Sequence, residues 1–285
     1  MSDSAPTREL ADGKLLVDEP AAGVVRLTIS NPAKRNALDH PILDAITATL
    51  QELSGAAGEH DEAARLSTRA RCLMITGAHG MFSAGYDIGE IPSEEFEERA
   101  EKLVAHPFTE AIDALERFPW PTLAMLPGHT IGGGLELALA CDLRVAQDGI
   151  KLGMPPAKLG LVYSHTGLRR FIDAIGASRT RELFLLGRYI SAATALQWGL
   201  VTRVTGEEQL QEHSLELAAE LAGNAPLSQV GNKRVIEALL AAEGALEADV
   251  EAELIELRRA SFASQDMQEG MRAFAERRPP RWQGA

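Results

Sequence analysis

The chain has 285 residues, 45% apolar and 24% charged, with 28 Lys and Arg against 41 Asp and Glu for a formal net charge of −13. That length admits one large domain or two small ones, and the charge excludes the basic face that nucleic acid requires. The polar start Met1–Arg8 holds no signal-peptide core, and no run approaches the roughly 20 apolar residues of a membrane helix, so a cytoplasmic protein is expected.

In chain order, residues 1–13 read as a flexible tail, 14–205 as an α/β core and 206–285 as a helical region. Strand-like runs fall at Val24–Ile29, Cys72–Thr76, Thr122–Leu126 and Asp142–Ala146. Helical patterns alternate with them at Pro41–Leu53, Glu94–Phe118, Gly133–Ala140 and His165–Ile175, which argues for an α/β core. From Ser178 onward the pattern is helical apart from Leu200–Val204, and Glu207–Glu276 shows amphipathic spacing of roughly 3.6 residues. Gly55–Arg71 reads as a surface loop insertion. Cys72 and Cys141 sit in apolar runs as buried free thiols, and no His, Cys and Asp spacing suggests a metal.

Two glycine-rich turns carry the chemistry. The strand Thr122–Leu126 and the breakers Pro127-Gly128 precede Ile131-Gly-Gly-Gly-Leu-Glu136, so the glycines should open a helix. Its free N–H groups and positive dipole end attract negative charge there, and missing side chains let a ligand approach the backbone. The strand Cys72–Thr76 ends in Gly77-Ala-His-Gly80, ahead of Phe82-Ser-Ala-Gly-Tyr-Asp-Ile88. One N–H near Tyr86 and one near Gly133 would form an oxyanion hole; two ordinary glycine turns are the plain alternative.

Phe82–Ile88, Gly132–Ala138 and Cys141-Asp-Leu143 resemble the signature of the crotonase superfamily, the enoyl-CoA hydratases and isomerases. The opening Leu27–Leu38 and the later Leu185–Ser191, Ala195–Val201 and Ala273–Arg278 are similar to its other segments, in the expected order from about residue 14 to 282. The resemblance implies a crotonase-like (ClpP/crotonase) α/β spiral of ββα units with a helical C-terminal trimerisation region. It implies a homotrimer or a hexamer built as a dimer of trimers. The substrate would be an acyl-CoA thioester, with coenzyme A carried by the substrate and no separate cofactor.

By that resemblance the backbone amides of Tyr86 and Gly133 are the oxyanion donors, and Glu136 lies over the acyl group. Lys34, Arg35, Ala37, Ala84, Asp87 and Ile88 would hold the nucleotide end. Phe274 and Arg277 would reach coenzyme A from the last helix, often in a neighbouring subunit; a solvated helix end is their plain alternative. Asp87 reads equally as a turn or cap residue. The second glutamate of family hydratases falls at Pro156, which can neither give nor take a proton. Met154–Tyr163, together with Phe82–Ser93, is similar to the methylmalonyl-CoA decarboxylase branch, where a phenol at Tyr163 could bond the leaving carboxylate. Decarboxylation of a malonyl-type CoA therefore ranks first, and hydration or isomerisation of an enoyl-CoA second. A non-catalytic CoA-thioester-binding protein is the third reading. Tyr163 as a packing residue, Glu136 as a brace for the glycine turn, and His165 as the opening of a helix are the plain alternatives. Arg169 and Arg170 read as surface ion-pair formers.

Overall fold

The computed structural model describes residues 7–54, 70–87, 107–244 and 246–283. A seven-stranded sheet has the order β1-β2-β3-β4-β6-β8-β11. Its strands are β1 (Arg8–Leu10), β2 (Leu15–Ala21), β3 (Val24–Ile29), β4 (Cys72–Gly77), β6 (Thr122–Leu126), β8 (Leu143–Gln147) and β11 (Arg203–Thr205). Strands β3, β4, β6, β8 and β11 are parallel, whereas β1 and β2 add to the edge antiparallel. A four-stranded sheet follows the order β10-β9-β7-β5, from β5 (Met81–Ser83), β7 (His129–Ile131), β9 (Lys151–Gly153) and β10 (Tyr189–Ser191).

The pairs β4/β5, β6/β7 and β8/β9 each place their first strand in the large sheet and their second in the small one. That repeat is the ββα spiral of a crotonase fold. The corners between paired strands are tight: a Cβ on Gly77 would lie 2.0 Å from the Met81 carbonyl oxygen, and one on Gly128 would lie 1.9 Å from that of Gly80. A larger residue would push β5 from β4 at Gly77 and the two neighbouring corners apart at Gly128.

Central strands are buried on both faces, so they read as continuous apolar runs rather than alternating ones. Period two still sorts them. Cys72, Met74, Leu123, Met125 and Val145 meet Leu210 and Leu217 of a helix at Glu207–Gly223. Leu73, Ile75, Ala124 and Leu126 face the main core with Phe82, Phe118 and Trp120.

The helices are α1 (His40–Leu53), α2 (Thr109–Glu116), α3 (Gly133–Leu139), α4 (His165–Leu186), α5 (Ala192–Trp198), α6 (Glu207–Gly223), α7 (Pro226–Gly244), α8 (Ala248–Ala263) and α9 (Gln265–Ala275). Asp39 caps α1 by accepting from the Ile42 N–H at 3.0 Å, and Ile42, Leu43, Ile46 and Leu50 form its buried stripe. Helix α3 is buried along its whole length, which makes it the axis of the site.

One expectation needs amendment. Arg8–Leu10, counted with the tail, is a sheet-edge strand paired with Leu15–Val17. The expected His165–Ile175 ends where α4 breaks at Gly176 (φ 75°, ψ 160°), and a second helical stretch carries α4 on to Leu186. The helix expected at Glu94–Phe118 is described only as α2, and residues 94–106 of it, like 55–69 of the loop insertion, lie outside the described residues. No helix among the described residues is long and apolar enough to cross a membrane.

Candidate active site

Gly132 turns the chain with φ 57° and its carbonyl accepts from the N–H groups of Leu135 and Glu136. Gly133 is thus the first residue of α3, and its N–H has no acceptor inside the helix. Opposite it, Leu38 and Tyr86 form a parallel bridge: the Leu38 N–H donates to the Gly85 carbonyl at 2.8 Å and the Asp87 N–H to the Leu38 carbonyl at 3.0 Å. In such a bridge the intervening Tyr86 turns its own N–H and C=O to the other edge. The two segments touch, since a Cβ on Gly85 (φ 97°) would stand 3.1 Å from the Gly133 nitrogen.

Glu136, one turn into α3, is 1% exposed. The Tyr163 hydroxyl donates to its Oε2, and Arg170 Nη1 donates to its Oε1 at 3.1 Å. Burial raises the Glu136 carboxyl above its ordinary range, opposed by the Arg170 guanidinium and the Tyr163 hydroxyl. The Tyr86 and Tyr163 hydroxyls stand 3.2 Å apart, and burial first, then the Glu136 charge, lifts both phenols well above their ordinary values. Room for the carboxylate comes from Gly167, where a Cβ would sit 2.8 Å from Glu136 Oε1 and 2.6 Å from Tyr163 Cε1. The Tyr86 ring lies over Gly133, with Cε1 2.7 Å from where a Cβ would be, and meets Phe108 edge-on at 4.5 Å. Phe262 and Met267 close the other side of Tyr86.

Arg170 corrects one expectation. Arg169 makes the surface pair, with Asp173 at 2.7 Å, but Arg170 turns inward and joins three carboxylates. Successive helical residues lie about 100° apart, so only one of the two can face out. Besides Glu136, Arg170 holds Glu116 through both Nε and Nη2, and Asp113 at 3.5 Å. Desolvation works against its charge, yet Glu116, Glu136 and Asp113 keep the guanidinium above its ordinary value.

Of the expected site residues, Tyr86, Gly133, Glu136 and Tyr163 come together. Lys34, Arg35, Ala37, Ala84 and Asp87 form a second group beside them. Lys34 Nζ pairs with Asp87 Oδ2 at 2.7 Å, and the Ala84 N–H donates to the Arg35 carbonyl at 3.1 Å. Asn36 fastens that turn: its Nδ2 donates to the carbonyls of Ala78 and Met81, and its Oδ1 accepts from the Asn31 N–H. Ile88 lies outside the described residues. Phe274, 73% exposed, and Arg277, with φ 52°, stand on the surface at the end of α9, outside both groups. Pro156 is buried at the start of a 3-10 turn, Pro156–Lys158, and supplies no acid or base. His165 opens α4 behind the Ser164 cap, with Nε2 3.5 Å from Glu251. Arg170, Glu116, Asn36, Phe108 and Gly167 had no sequence signal as site residues. Only the inward face of the α4 pattern could have pointed to Arg170.

A ββα spiral that sets a helix N-terminus against a glycine turn, with one buried carboxylate between two phenols and an arginine, defines the class: a crotonase-type site. The chain belongs to the enoyl-CoA hydratase/isomerase family, whose family model matches residues 19–285, and it is an acyl-CoA enzyme of the crotonase superfamily. It is 33% identical over 266 residues to a probable enoyl-CoA hydratase of Bacillus subtilis (strain 168), covering 92% of this chain and 95% of that one. It is 32% identical to 2,3-dehydroadipyl-CoA hydratase of Escherichia coli (strain K12) over 265 residues, 92% and 95% of the two chains. Among solved structures, methylmalonyl-CoA decarboxylase in complex with 2-nitronate-propionyl-CoA superposes with a TM-score of 0.82 at 26% identity, over 95% of this chain and 99% of that one.

Proposed function

We propose that the protein decarboxylates a malonyl-type CoA thioester. The thioester oxygen takes the Tyr86 and Gly133 N–H groups, each worth about 3 kcal/mol to the enolate. The bond from Cα to the carboxylate breaks, its electron pair enters the enolate, CO2 leaves, and a proton then joins Cα. One proton is consumed per turnover, and Glu136 with Tyr163 supplies it. The observation that carries this reading is the Tyr163 hydroxyl on Glu136, with Pro156 in place of a second carboxylate. Hydration of an enoyl-CoA is the second reading, favoured by the names of the relatives in Bacillus subtilis and Escherichia coli. It asks Glu136 to activate water alone. Isomerisation, and binding without chemistry, stand behind it.

Lys34, Arg35, Ala37, Ala84, Asp87 and Ile88 would take the nucleotide end of coenzyme A, largely through backbone. Phe274 and Arg277 would serve a neighbouring subunit of a homotrimer, or of a hexamer made of two. The apolar side chains that α7 exposes, Leu227, Val235, Ile236 and Leu239, each 58% exposed or more, support such an assembly.

The test is incubation with methylmalonyl-CoA and crotonyl-CoA separately, with products followed by mass spectrometry. Gly133→Pro, which removes one donor and sets a Cβ 2.7 Å from the Tyr86 ring, is the dead control. Loss of CO2 from the first substrate is the expected result. Water addition to crotonyl-CoA with methylmalonyl-CoA untouched would put the hydratase reading first.

A further inference from the structure

Each phenol beside Glu136 has a single proton, and counting protons orders the whole chain of contacts. An ionised Glu136 can only accept, so the Tyr163 proton is committed to Oε2. The Tyr163 oxygen can then only accept in its 3.2 Å contact with Tyr86, and Tyr86 must be the donor. The chain therefore runs Tyr86 to Tyr163 to Glu136, which also accepts from the Arg170 guanidinium. A proton added to Glu136 turns the acid into a donor and frees the chain to reverse. Bonds in series polarise one another, so the first donor strengthens the last bond.

We infer that the Tyr86 side chain is a positioning residue: its hydroxyl, acting through Tyr163, fixes which way the proton of the Tyr163–Glu136 pair points. This is separate from the backbone N–H of the same residue, and it rests on the reading of Glu136 and Tyr163 as the proton-handling pair. The ring is held for the purpose between Gly133 and the edge of Phe108, with Phe262 and Met267 behind it. Charged groups that face the chain are Arg170 on α4, Glu116 and Asp113 on α2, and Arg258 on α8, whose cation acts on Tyr86. Only Tyr163 links Tyr86 to Glu136 by hydrogen bonds among the described contacts. The effect of Tyr86 on Glu136 should therefore vanish when Tyr163 loses its hydroxyl.

Tyr86→Phe keeps the ring and the backbone donor and removes only the hydroxyl. Two readouts separate this inference from the proposed reaction. In turnover, Tyr86→Phe should lower kcat about tenfold with KM within about twofold, the weight of one hydrogen bond. In an infrared pH titration that needs no turnover, the protonated-carboxyl band removed by Glu136→Gln reports the Glu136 proton directly. Its midpoint should rise by roughly half a pH unit in Tyr86→Phe and further in Tyr163→Phe. The double variant should match Tyr163→Phe alone. A midpoint unmoved by Tyr86→Phe, or shifts that add in the double variant, would overturn the inference even if CO2 is released. A shifted midpoint in a protein that turns over neither CoA ester would uphold it and remove the reaction instead.

Discussion

Arg170→Met tests the architecture of the site without reference to substrate. Methionine keeps most of the arginine stem and removes the guanidinium, leaving Glu136 with the Tyr163 hydroxyl but no cation. Breaking one side of a buried ion pair costs about 3–5 kcal/mol when the remaining charge has no escape. Glu136 has one, because it can take a proton. Protonating a carboxyl of ordinary value 4.5 at pH 7 costs about 3.4 kcal/mol, from 2.5 pH units at about 1.36 kcal/mol each. That is the ceiling on the loss at pH 7, and it falls to about 0.7 kcal/mol at pH 5. Glu116 and Asp113 lose a partner as well, but their side chains are 37% and 34% exposed, so solvent holds their share under about 1 kcal/mol.

The sign follows from linkage. In the variant the folded Glu136 value lies far above the unfolded one, so the folded state binds the extra proton and stability falls as pH rises between the two. Urea unfolding at pH 5, 6 and 7, at one protein concentration, should show Arg170→Met losing about 3 kcal/mol at pH 7 and about 1 at pH 5. Arg170→Met with Glu136→Gln should recover most of the loss at pH 7. Equal losses at both pH values, or no recovery in the double variant, would refute the claim that Arg170 exists to hold Glu136.

Other outcomes follow from single contacts. Asn36→Ala removes donors to Ala78 and Met81 and puts alanine at φ 57°, so it should cost about 2–4 kcal/mol in urea unfolding, with Asn36→Gly recovering only the backbone share. Gly85→Ala meets the Ile131 carbonyl at 3.0 Å and a backbone angle of 97°; a loss of about 1–3 kcal/mol and of acyl-CoA turnover is expected, against little effect from Ala84→Gly. Glu269 is held down to about 2 by its hydrogen bonds with Arg278 and the Arg281 N–H. Its contribution is thus complete above the ordinary carboxyl value of 4.5 and fades as pH falls toward 2. Hydrogen exchange at the Arg281 amide should quicken across that window, and Glu269→Gln should abolish the dependence.

The parts legible in the sequence are those whose reasons are local. The runs at Val24–Ile29 and Thr122–Leu126 match β3 and β6 residue for residue, since β6 is buried throughout and β3 alternates buried apolar residues with half-buried Arg26 and Thr28. The triple glycine opens α3 because only glycine fits under the Tyr86 ring and at φ 57°. Strands β5, β7, β9 and β10 were not legible. Each has three residues, too few for a period-two pattern, and each exists because the large sheet delivers it to a neighbour. Arg170 fails for a similar reason: beside Arg169 it reads as surface, and only the packing of α4 against α3 and α2 turns it inward.

The same division separates family from reaction. Family membership rests on glycines, a helix start and a strand turn, all near neighbours in sequence. The choice between decarboxylation and hydration rests on contacts spanning 27 and 77 residues, Tyr163 with Glu136 and Tyr86 with Tyr163. A glutamate pair needs no proton from solvent to add water across a double bond, whereas loss of CO2 draws one in at every turnover. A single buried carboxylate, held by the Tyr163 phenol and the Arg170 guanidinium with no second carboxylate beside it among the described residues, suits the reaction that must import a proton better than the one that must activate water. If methylmalonyl-CoA is turned over, the rate should follow the protonated fraction of the Glu136 chain and fall as pH rises. A hydratase built on an ionised Glu136 as base should show the opposite limb, so the slope of one pH profile divides the two readings.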